Sequence, residues 1–272
     1  MKEWMNKVLE GDCLELLPLL PDGCIDMVLC DLPYGMTNNK WDTPIDLDRL
    51  WAAYRRVVKP GGVVALTGSH RFTGQLITSN TDWFRYKIVW IKSKATNFLS
   101  ANRQPLRRHE DVCIFYSKQC YCAPQKIQGK PYDKGIRRDK KSGNYGSFNT
   151  FPAKNETGMR HPCDILFYEE ELLDWAYFRT AEADGVFHPT QKPVNLGRWL
   201  VRTYSRPGEI ILDNACGSGS FLVAALLEGR RFIGMEKNDR SFHFGRKTDF
   251  VSISRQRIAK AFRERNQATL FN

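Results

Sequence analysis

The sequence predicts an α/β protein with a doubly wound, mostly parallel sheet. Short apolar runs alternate with helical patterns along the chain, and polar or glycine-rich turns follow two of these runs. The 272 residues suffice for one large domain with a substantial insertion. Hydrophobic residues make up 42% and charged residues 26%, which is typical of a globular chain and argues against extensive disorder.

The first half of the chain starts the alternation of strands and helices. An apolar run at 25–30 predicts a buried strand, which ends in the tight turn Asp31-Leu32-Pro33-Tyr34-Gly35. A helical pattern over 47–58 stops at Lys59-Pro60-Gly61-Gly62, and 63–67 predicts the next strand.

Two further strands, over 84–92 and 111–117, are candidates for an antiparallel pair. Apolar periodicity is weak from about 119 to 165, where glycine and proline are frequent. That segment therefore predicts a loop-rich insertion outside the central sheet.

The second half of the chain resumes the alternation, beginning with an amphipathic helix near 196–204. The elements predicted after it are a strand at 209–213, a glycine turn at 216–220, a helix at 221–228, a strand at 231–236 and a basic helix at 252–265.

Positive charge is concentrated in one segment. The formal net charge is +11, and the segment from Arg85 to Tyr145 alone holds 15 Lys and Arg residues against four acids. The rest of the chain is therefore neutral overall. A solvated face is the usual explanation of a run of charge, but the tyrosines interleaved here favour contact with a nucleic acid.

Several protein classes do not fit the sequence. No apolar stretch reaches the ~20 residues of a membrane span, and the N-terminus has no signal-peptide core. The eight cysteines form no CxxC pair, so thiols in a reducing cytosol are expected rather than disulfides. A zinc site from Cys120, Cys122, His161 and Cys163 fits no standard spacing, so no metal is predicted.

The glycine turn is the first candidate binding site. Asp213-Asn214-Ala215-Cys216-Gly217-Ser218-Gly219-Ser220-Phe221 follows a strand and opens a helix, where glycines let a ligand approach the backbone. Glu236 ends the next strand and could accept hydrogen bonds from ribose hydroxyls. Leu222 stands where a dinucleotide fingerprint requires glycine, so an adenosine cofactor without a pyrophosphate fits better than NAD. A purely structural turn is the alternative.

The turn at 31–34 is the second candidate site. A carboxylate at the carboxyl end of a strand faces the crevice where open α/β sheets bind ligands. The Asp31 carboxylate and the Leu32 carbonyl could accept the two hydrogens of an exocyclic amine, while its ring stacks on Tyr34. These acceptors would stabilise the charge that develops on the nitrogen during attack.

These segments carry a family resemblance. Asp31-Leu32-Pro33-Tyr34 resembles the (D/N/S)PP(Y/F/W) motif of S-adenosylmethionine-dependent amino-methyltransferases, and the turn at 213–221 is similar to their cofactor loop. HPTQKP at 188–193 and Gly11-Asp12 also match family positions, and the order of the motifs is that of the β class. The resemblance covers roughly 6–118 and 186–245 and implies a Rossmann-like methyltransferase sheet with circularly permuted motifs.

The resemblance also implies roles for individual residues. Asp31, Leu32, Pro33 and Tyr34 would form the catalytic turn. The cofactor would be S-adenosylmethionine, with its methionine end near Asp213, its ribose near Glu236 and its adenine near Asp12. The other residues implied in cofactor binding are Thr190, Lys192, Ala215, Gly217, Ser218 and Gly219. Leu32 replaces the usual first proline, and Ala215 replaces a phenylalanine whose space Phe221 could partly fill.

The implied domains are a catalytic half over 1–118, a target-recognition insertion over 119–185 and a cofactor-binding half over 186–272, which includes the basic helix. The basic insertion would hold the phosphates and read the site in double-stranded DNA, from which the target base is flipped out. The candidate phosphate or base contacts are Arg103, Arg107, Arg108, Arg137 and Arg138.

The implied activity is methylation of adenine N6, because cytosine-N4 members more often carry serine at the position of Asp31. Cytosine-N4 methylation remains the nearest alternative, followed by an RNA or protein-amide methyltransferase and an inactive DNA-binding homologue. A homodimer and a cognate restriction endonuclease are further partners that the resemblance suggests. The expected location is the cytoplasm, with a bacterial or phage gene as the source.

Overall fold

The computed structural model describes residues 2–36, 42–136, 152–166, 187, 191–238, 242–243 and 246–270. The α-helices are α1 (Cys13–Leu16), α2 (Leu47–Val57), α3 (Arg71–Ser79), α4 (Val194–Tyr204), α5 (Ser220–Leu227) and α6 (Phe250–Leu270). The strands are β1 (Lys7–Glu10), β2 (Ile25–Cys30), β3 (Val58–Gly68), β4 (Phe84–Thr96), β5 (Arg107–Phe115), β6 (Ile127–Gln128), β7 (Tyr132–Ile136), β8 (Pro152–Asn155), β9 (Met159–Arg160), β10 (Ile165–Leu166), β11 (Ile210–Asp213), β12 (Arg231–Glu236), β13 (Phe242–His243) and β14 (Arg246–Lys247).

Eight of these strands form the central sheet, in the order β1-β12-β11-β2-β3-β5-β4-β10. All neighbours pair parallel except β5, which runs antiparallel to both β3 and β4. The mostly parallel sheet and the antiparallel pairing of the strands near 84–92 and 111–117 are thus confirmed.

The two halves of the sheet meet between β11 and β2. From β11 the chain continues to β12 on one side, and from β2 it continues to β3 on the other side. Connections that leave neighbouring parallel strands in opposite directions open a crevice at their carboxyl ends. Asp213 and Asp31 both lie at this crevice, because one ends β11 and the other follows β2.

Helices cover both faces of the sheet, as the alternating pattern predicts. Successive side chains of β2 point to opposite faces, so Met27 and Leu29 pack with α4 and α5, whereas Val28 and Cys30 pack with α2 and α3. Each such fully buried side chain contributes roughly 1.5–3 kcal/mol through removal of apolar surface from water. No described helix has the length and apolar character needed to cross a membrane.

Elements of this frame that were not predicted include β1, α1, α3 and β10. The predicted helix stop at 59–62 is confirmed, since α2 ends at Val57, but β3 begins immediately and includes these residues. Glycine is required at Gly62, because a Cβ there would lie 2.9 Å from the Asp26 carbonyl oxygen.

The expectation that the insertion stands outside the central sheet is wrong for its last described residues. Strands β6 with β9 and β7 with β8 do form separate two-stranded sheets. Strand β10, however, pairs parallel with β4. It covers the unpaired backbone groups that β4 would otherwise expose at the edge of the sheet.

Candidate functional site

A cavity of about 340 Å³ lies at the carboxyl edge of the sheet, at the crevice between β11 and β2. It is lined by almost all of the described residues that were predicted as catalytic or cofactor-binding. These are Asp12, Asp31, Leu32, Pro33, Tyr34, Lys192, Asp213, Ala215, Gly217, Ser218 and Glu236. Thr190 lies outside the described residues. The fold therefore brings together segments that are up to 224 positions apart in the sequence, from Asp12 to Glu236.

The glycine turn is fixed to the end of the neighbouring strand. Gly217, with φ of +48°, donates its N–H to Glu236 Oε2 at 2.7 Å. Cys216 donates its N–H to the Met235 carbonyl at 3.0 Å. The other oxygen, Glu236 Oε1, accepts the Asn238 N–H at 3.2 Å, and a carboxylate oxygen can accept more than one hydrogen bond.

Gly219 is the one described residue of the predicted cofactor set that does not line the cavity. It precedes α5 with φ of +78°, and a Cβ there would lie 2.9 Å from Ser254 Cβ. The glycine thus allows α6 to pack on the turn. Arg257 of α6 adds hydrogen bonds to the Ser218 carbonyl and hydroxyl oxygens, at 2.7 and 2.9 Å. The C-terminal helix therefore braces the turn that lines the cavity.

The missing third glycine does not prevent close packing of α5 on the sheet. A Cβ at Gly234 of β12 would lie only 2.4 Å from Leu222 Cδ1. The small residue that permits the close approach is therefore on the strand, and the larger residue is on the helix. Phe221, predicted to fill space left by Ala215, lines the cavity and also packs on Gly197 of α4.

Asp213 is buried at the base of the cavity. Burial raises the pKa of its carboxyl to about 8, against the opposing effect of hydrogen bonds from the Cys30 side chain and the Ala215 N–H. An incoming cation would favour the ionised form of this group.

Asp12 caps α1 at the opposite end of the cavity. Its Oδ1 accepts the Leu14 N–H at 2.9 Å, and its Oδ2 lies 3.0 Å from Lys237 Nζ. Burial opposes ionisation of Asp12, but these two partners outweigh it and lower the pKa.

The turn at 31–34, predicted to be catalytic, has both oxygens of its Asp31 carboxylate occupied. Asp31 Oδ1 accepts hydrogen bonds from the Tyr34 hydroxyl, at 2.9 Å, and from the Thr67 hydroxyl. Asp31 Oδ2 accepts a hydrogen bond from Lys192 Nζ at 2.7 Å. The Tyr34 ring stacks on Phe72, with 4.7 Å between centroids. Burial and the nearby Asp31 charge raise the pKa of Tyr34, so its hydroxyl keeps its proton and donates it.

A buried network of charges lies behind Asp31. Lys192 Nζ lies 3.3 Å from Glu110 Oε2, and Glu110 Oε1 lies 3.0 Å from Lys92 Nζ. Burial lowers the pKa of Lys192, but Asp31 and Glu110 outweigh it and raise the pKa above its ordinary value. Burial likewise raises the pKa of Glu110, but the two lysines outweigh it and lower the pKa. Two carboxylates and two ammonium groups therefore balance each other, and of these Asp31 and Lys192 line the cavity.

The segment after the turn is held by a residue that was not predicted. Asp42 accepts the N–H groups of Gly35 and Met36, each at 2.8 Å. Gly35 has φ of +65°, and a Cβ there would lie 2.4 Å from Pro44 Cγ. These contacts fix the direction in which the chain leaves Tyr34.

The predicted DNA contacts lie partly at the same edge of the sheet. Arg107 donates to the Ser69 hydroxyl at 2.7 Å, and Arg108 Nε donates to the Lys92 carbonyl at 3.1 Å. Arg103 is exposed on the loop between β4 and β5. Arg137 and Arg138 lie outside the described residues.

Sequence reasoning missed Thr67 and Phe72, which contact the turn at 31–34, and Lys92 and Glu110, which are linked to Asp31 through Lys192. A signal existed for the last two, since each is a charged residue next to an apolar strand segment. Thr67 lies near the end of β3, the strand that pairs with β2, but only the observed register places it beside Asp31. Within the described part of the chain, no group of three or more His, Cys, Asp or Glu side chains is arranged to hold a metal ion.

Known proteins resemble this chain along most of its length. The sequence model of the family described as DNA methylase, of the N6 and N4 type, matches residues 25–245. The Type II methyltransferase M.BglII of Bacillus subtilis is 26% identical over an alignment of 263 positions, which covers 86% of this chain and 66% of that protein. The chain thus spans just under two thirds of the length of this relative.

Solved structures share the fold. The M1.HpyAVI–SAM complex has a TM-score of 0.56 at 19% identity, over 93% of this chain and 98% of that one. The PvuII DNA methyltransferase, which is cytosine-N4-specific, has a TM-score of 0.59 at 14% identity, over 95% and 91%.

Proposed function

The chain belongs to the N6/N4 DNA methylase family, and on that premise we propose that it methylates the N6 amino group of adenine in a base flipped out of duplex DNA. S-adenosylmethionine is the methyl donor. The observation that carries the proposal is the Asp31 carboxylate, held by Lys192, Tyr34 and Thr67 at the wall of the cavity.

The cavity fits this cofactor in size and charge. Its volume of about 340 Å³ is within the range of small-molecule sites. Asp12, Asp213 and Glu236 line it, so carboxylates are available for the ribose hydroxyls, the adenine amine and the positive charges of the methionine end. When bound, the cofactor supplies the electrophilic methyl group on its sulfonium.

The residues of the turn would orient the amine. Asp31 Oδ1 and the Leu32 carbonyl accept the two amine hydrogens, and an amine hydrogen replaces one of the donors that now occupy Oδ1. The base stacks on the Tyr34 ring, which Phe72 supports from behind. The lone pair of the amine nitrogen would attack the methyl carbon that the cofactor supplies, with the neutral thioether as leaving group, and the nitrogen would then lose one of its protons to water. Asp31 stabilises the positive charge that develops on the nitrogen.

Basic residues near the cavity and in the insertion would bind the DNA. Arg103, Arg107 and Arg108 lie at the edge of the sheet that bears Asp31, and we assign target recognition to 119–185, including Arg137 and Arg138. Phosphate contacts by such residues position the duplex, whereas base contacts specify the site. A homodimer and a cognate restriction endonuclease are proposed partners, the latter because M.BglII is named a Type II methyltransferase.

Nucleoside analysis distinguishes this proposal from the nearest alternative. Unmethylated DNA is incubated with the protein and S-adenosylmethionine, digested to nucleosides and examined by mass spectrometry. N6-methyladenine is the expected product. N4-methylcytosine as sole product would assign this protein the specificity of the PvuII enzyme. Methylation of RNA alone would show that RNA, not DNA, is the substrate.

A further inference from the structure

The loop between β4 and β5 exposes two adjacent large apolar side chains. Phe98 is 75% exposed and Leu99 is 89% exposed. Asn97, with φ of +71°, turns the chain directly before them, and Phe98–Ser100 forms one short 3-10 turn. Scattered apolar residues are normal on a protein surface, but two neighbours with this exposure at the tip of a loop form a distinct feature.

The base of this loop lies at the edge of the sheet that carries Asp31. Strand β4 ends and β5 begins at the edge of the sheet where β3 ends, and Arg107 of β5 is hydrogen-bonded to Ser69 directly after β3. Lys92 of β4 and Glu110 of β5 belong to the charge network that reaches Asp31 through Lys192. The two apolar side chains are therefore carried on the same edge as the reacting groups.

The charges around the tip favour one kind of partner. Lys94, Arg103, Arg107 and Arg108 flank it, and no acid occurs between Ser93 and His109. A duplex of DNA presents phosphates on its outside and apolar base faces inside. An apolar tip flanked in sequence by cations is complementary to a duplex with phosphates outside and apolar base faces inside.

We propose that Phe98 and Leu99 form a wedge that enters the base stack beside the target and occupies the space the flipped base leaves. Large apolar side chains are used in this way by proteins that unstack and bend DNA. The flanking cations hold the phosphates of the same step. This proposal rests on the proposed function, because a wedge is needed only if the target base leaves the duplex.

The test compares paired and unpaired targets. The target site is first mapped by sequencing DNA that the wild-type protein has methylated. Phe98→Ala/Leu99→Ala is then assayed on a duplex carrying that site and on the same duplex with an abasic position opposite the target base. Leu19→Ala is the matched control, since Leu19 is 65% exposed and precedes β2, at the opposite edge of the sheet.

A wedge predicts a substrate-dependent defect. On the paired duplex kcat/KM should fall about 10-fold to 100-fold, and on the abasic duplex it should stay within about 3-fold of wild type, because an unpaired base leaves the stack easily. The affinity for S-adenosylmethionine should not change. Fluorescence of 2-aminopurine at the target position should rise with the wild type and with Leu19→Ala, but not with the double variant.

Two results would overturn the wedge. A double variant that methylates the paired duplex as fast as the wild type would show that the tip does not enter DNA and serves another partner. Equal losses on both duplexes would assign Phe98 and Leu99 a structural role. Absence of methylation by the wild type on any DNA would instead refute the proposed function, so the two failures are distinguishable.

Discussion

Replacing Glu110 by glutamine tests whether the charge network behind Asp31 stabilises the fold. The substitution preserves shape but removes the carboxylate that lies 3.3 Å from Lys192 and 3.0 Å from Lys92. At an effective dielectric constant of ~20 each attraction is about 5 kcal/mol, and the cost of removing the carboxylate from water offsets much of the sum. Removal of one partner from a buried pair typically costs about 3–5 kcal/mol, and we expect that loss in the free energy of unfolding.

The pH dependence of that loss follows from the direction of the shifts. The two lysines lower the pKa of Glu110, so its stabilisation is present above its unfolded value of about 4.3 and is lost as pH falls through the lower folded value. Lys192 has a raised pKa, so its contribution is present below about 10.4 and is lost only as pH rises through the folded value. The difference between wild type and Glu110→Gln should therefore be constant near neutral pH and shrink in acid.

Urea unfolding followed by tryptophan fluorescence measures the effect. The control is Glu15→Gln, which breaks an exposed pair with Arg49 at 3.5 Å and should cost at most about 1 kcal/mol. The double variant Glu110→Gln/Lys92→Met should recover part of the loss, since it leaves no unpaired ammonium at position 92. A Glu110→Gln protein as stable as Glu15→Gln would refute the network as a source of stability.

Two further predictions concern the cofactor turn and its packing. Burial raises the pKa of Asp213 to about 8, so a cationic ligand should bind with release of a proton. The Kd for S-adenosylmethionine should therefore fall by up to about tenfold for each pH unit between about pH 6 and about pH 8. Calorimetry in buffers of different ionisation enthalpy checks this, and a pH-dependent Kd that persists in Asp213→Asn would contradict it. Gly234→Ala should lower the free energy of unfolding by about 1–3 kcal/mol, because the added methyl group would clash with Leu222. Gly74→Ala, which has open space around it, should raise the free energy of unfolding by about 0.5–1 kcal/mol. Equal effects of the two substitutions in thermal unfolding would contradict this prediction.

The parts of the fold that sequence analysis predicts are those with a local pattern. The strand at 25–30, its polar turn and the glycine turn at 213–221 are read from a few neighbouring residues, and the structure places both turns at one cavity. The short elements β1 and α1 have four residues each, too few to show a period. The registers that join separate strands likewise leave no local trace.

The surroundings of Asp31 could not be predicted for the same reason. Lys192 lies 161 positions away in sequence and was expected to close over the cofactor, yet its ammonium is 2.7 Å from Asp31 Oδ2. The role of Glu110 depends on the antiparallel pairing of β4 and β5, which brings it to Lys92. Gly219 was expected to line the ligand site, but its positive φ and the packing of α6 against it account for the absence of a side chain there.

The most direct test of the account is methyl transfer by Asp31→Asn, measured with labelled S-adenosylmethionine on unmethylated DNA together with the Kd of the cofactor. Loss of the carboxylate should reduce the rate by about 1,000-fold or more, because a neutral amide stabilises the developing charge far less. The Kd should stay within about 3-fold of wild type, since the proposed cofactor contacts are Asp12, Asp213 and Glu236 rather than Asp31. A variant that binds the cofactor and still transfers the methyl group at the wild-type rate would contradict the assignment of Asp31 as the catalytic carboxylate.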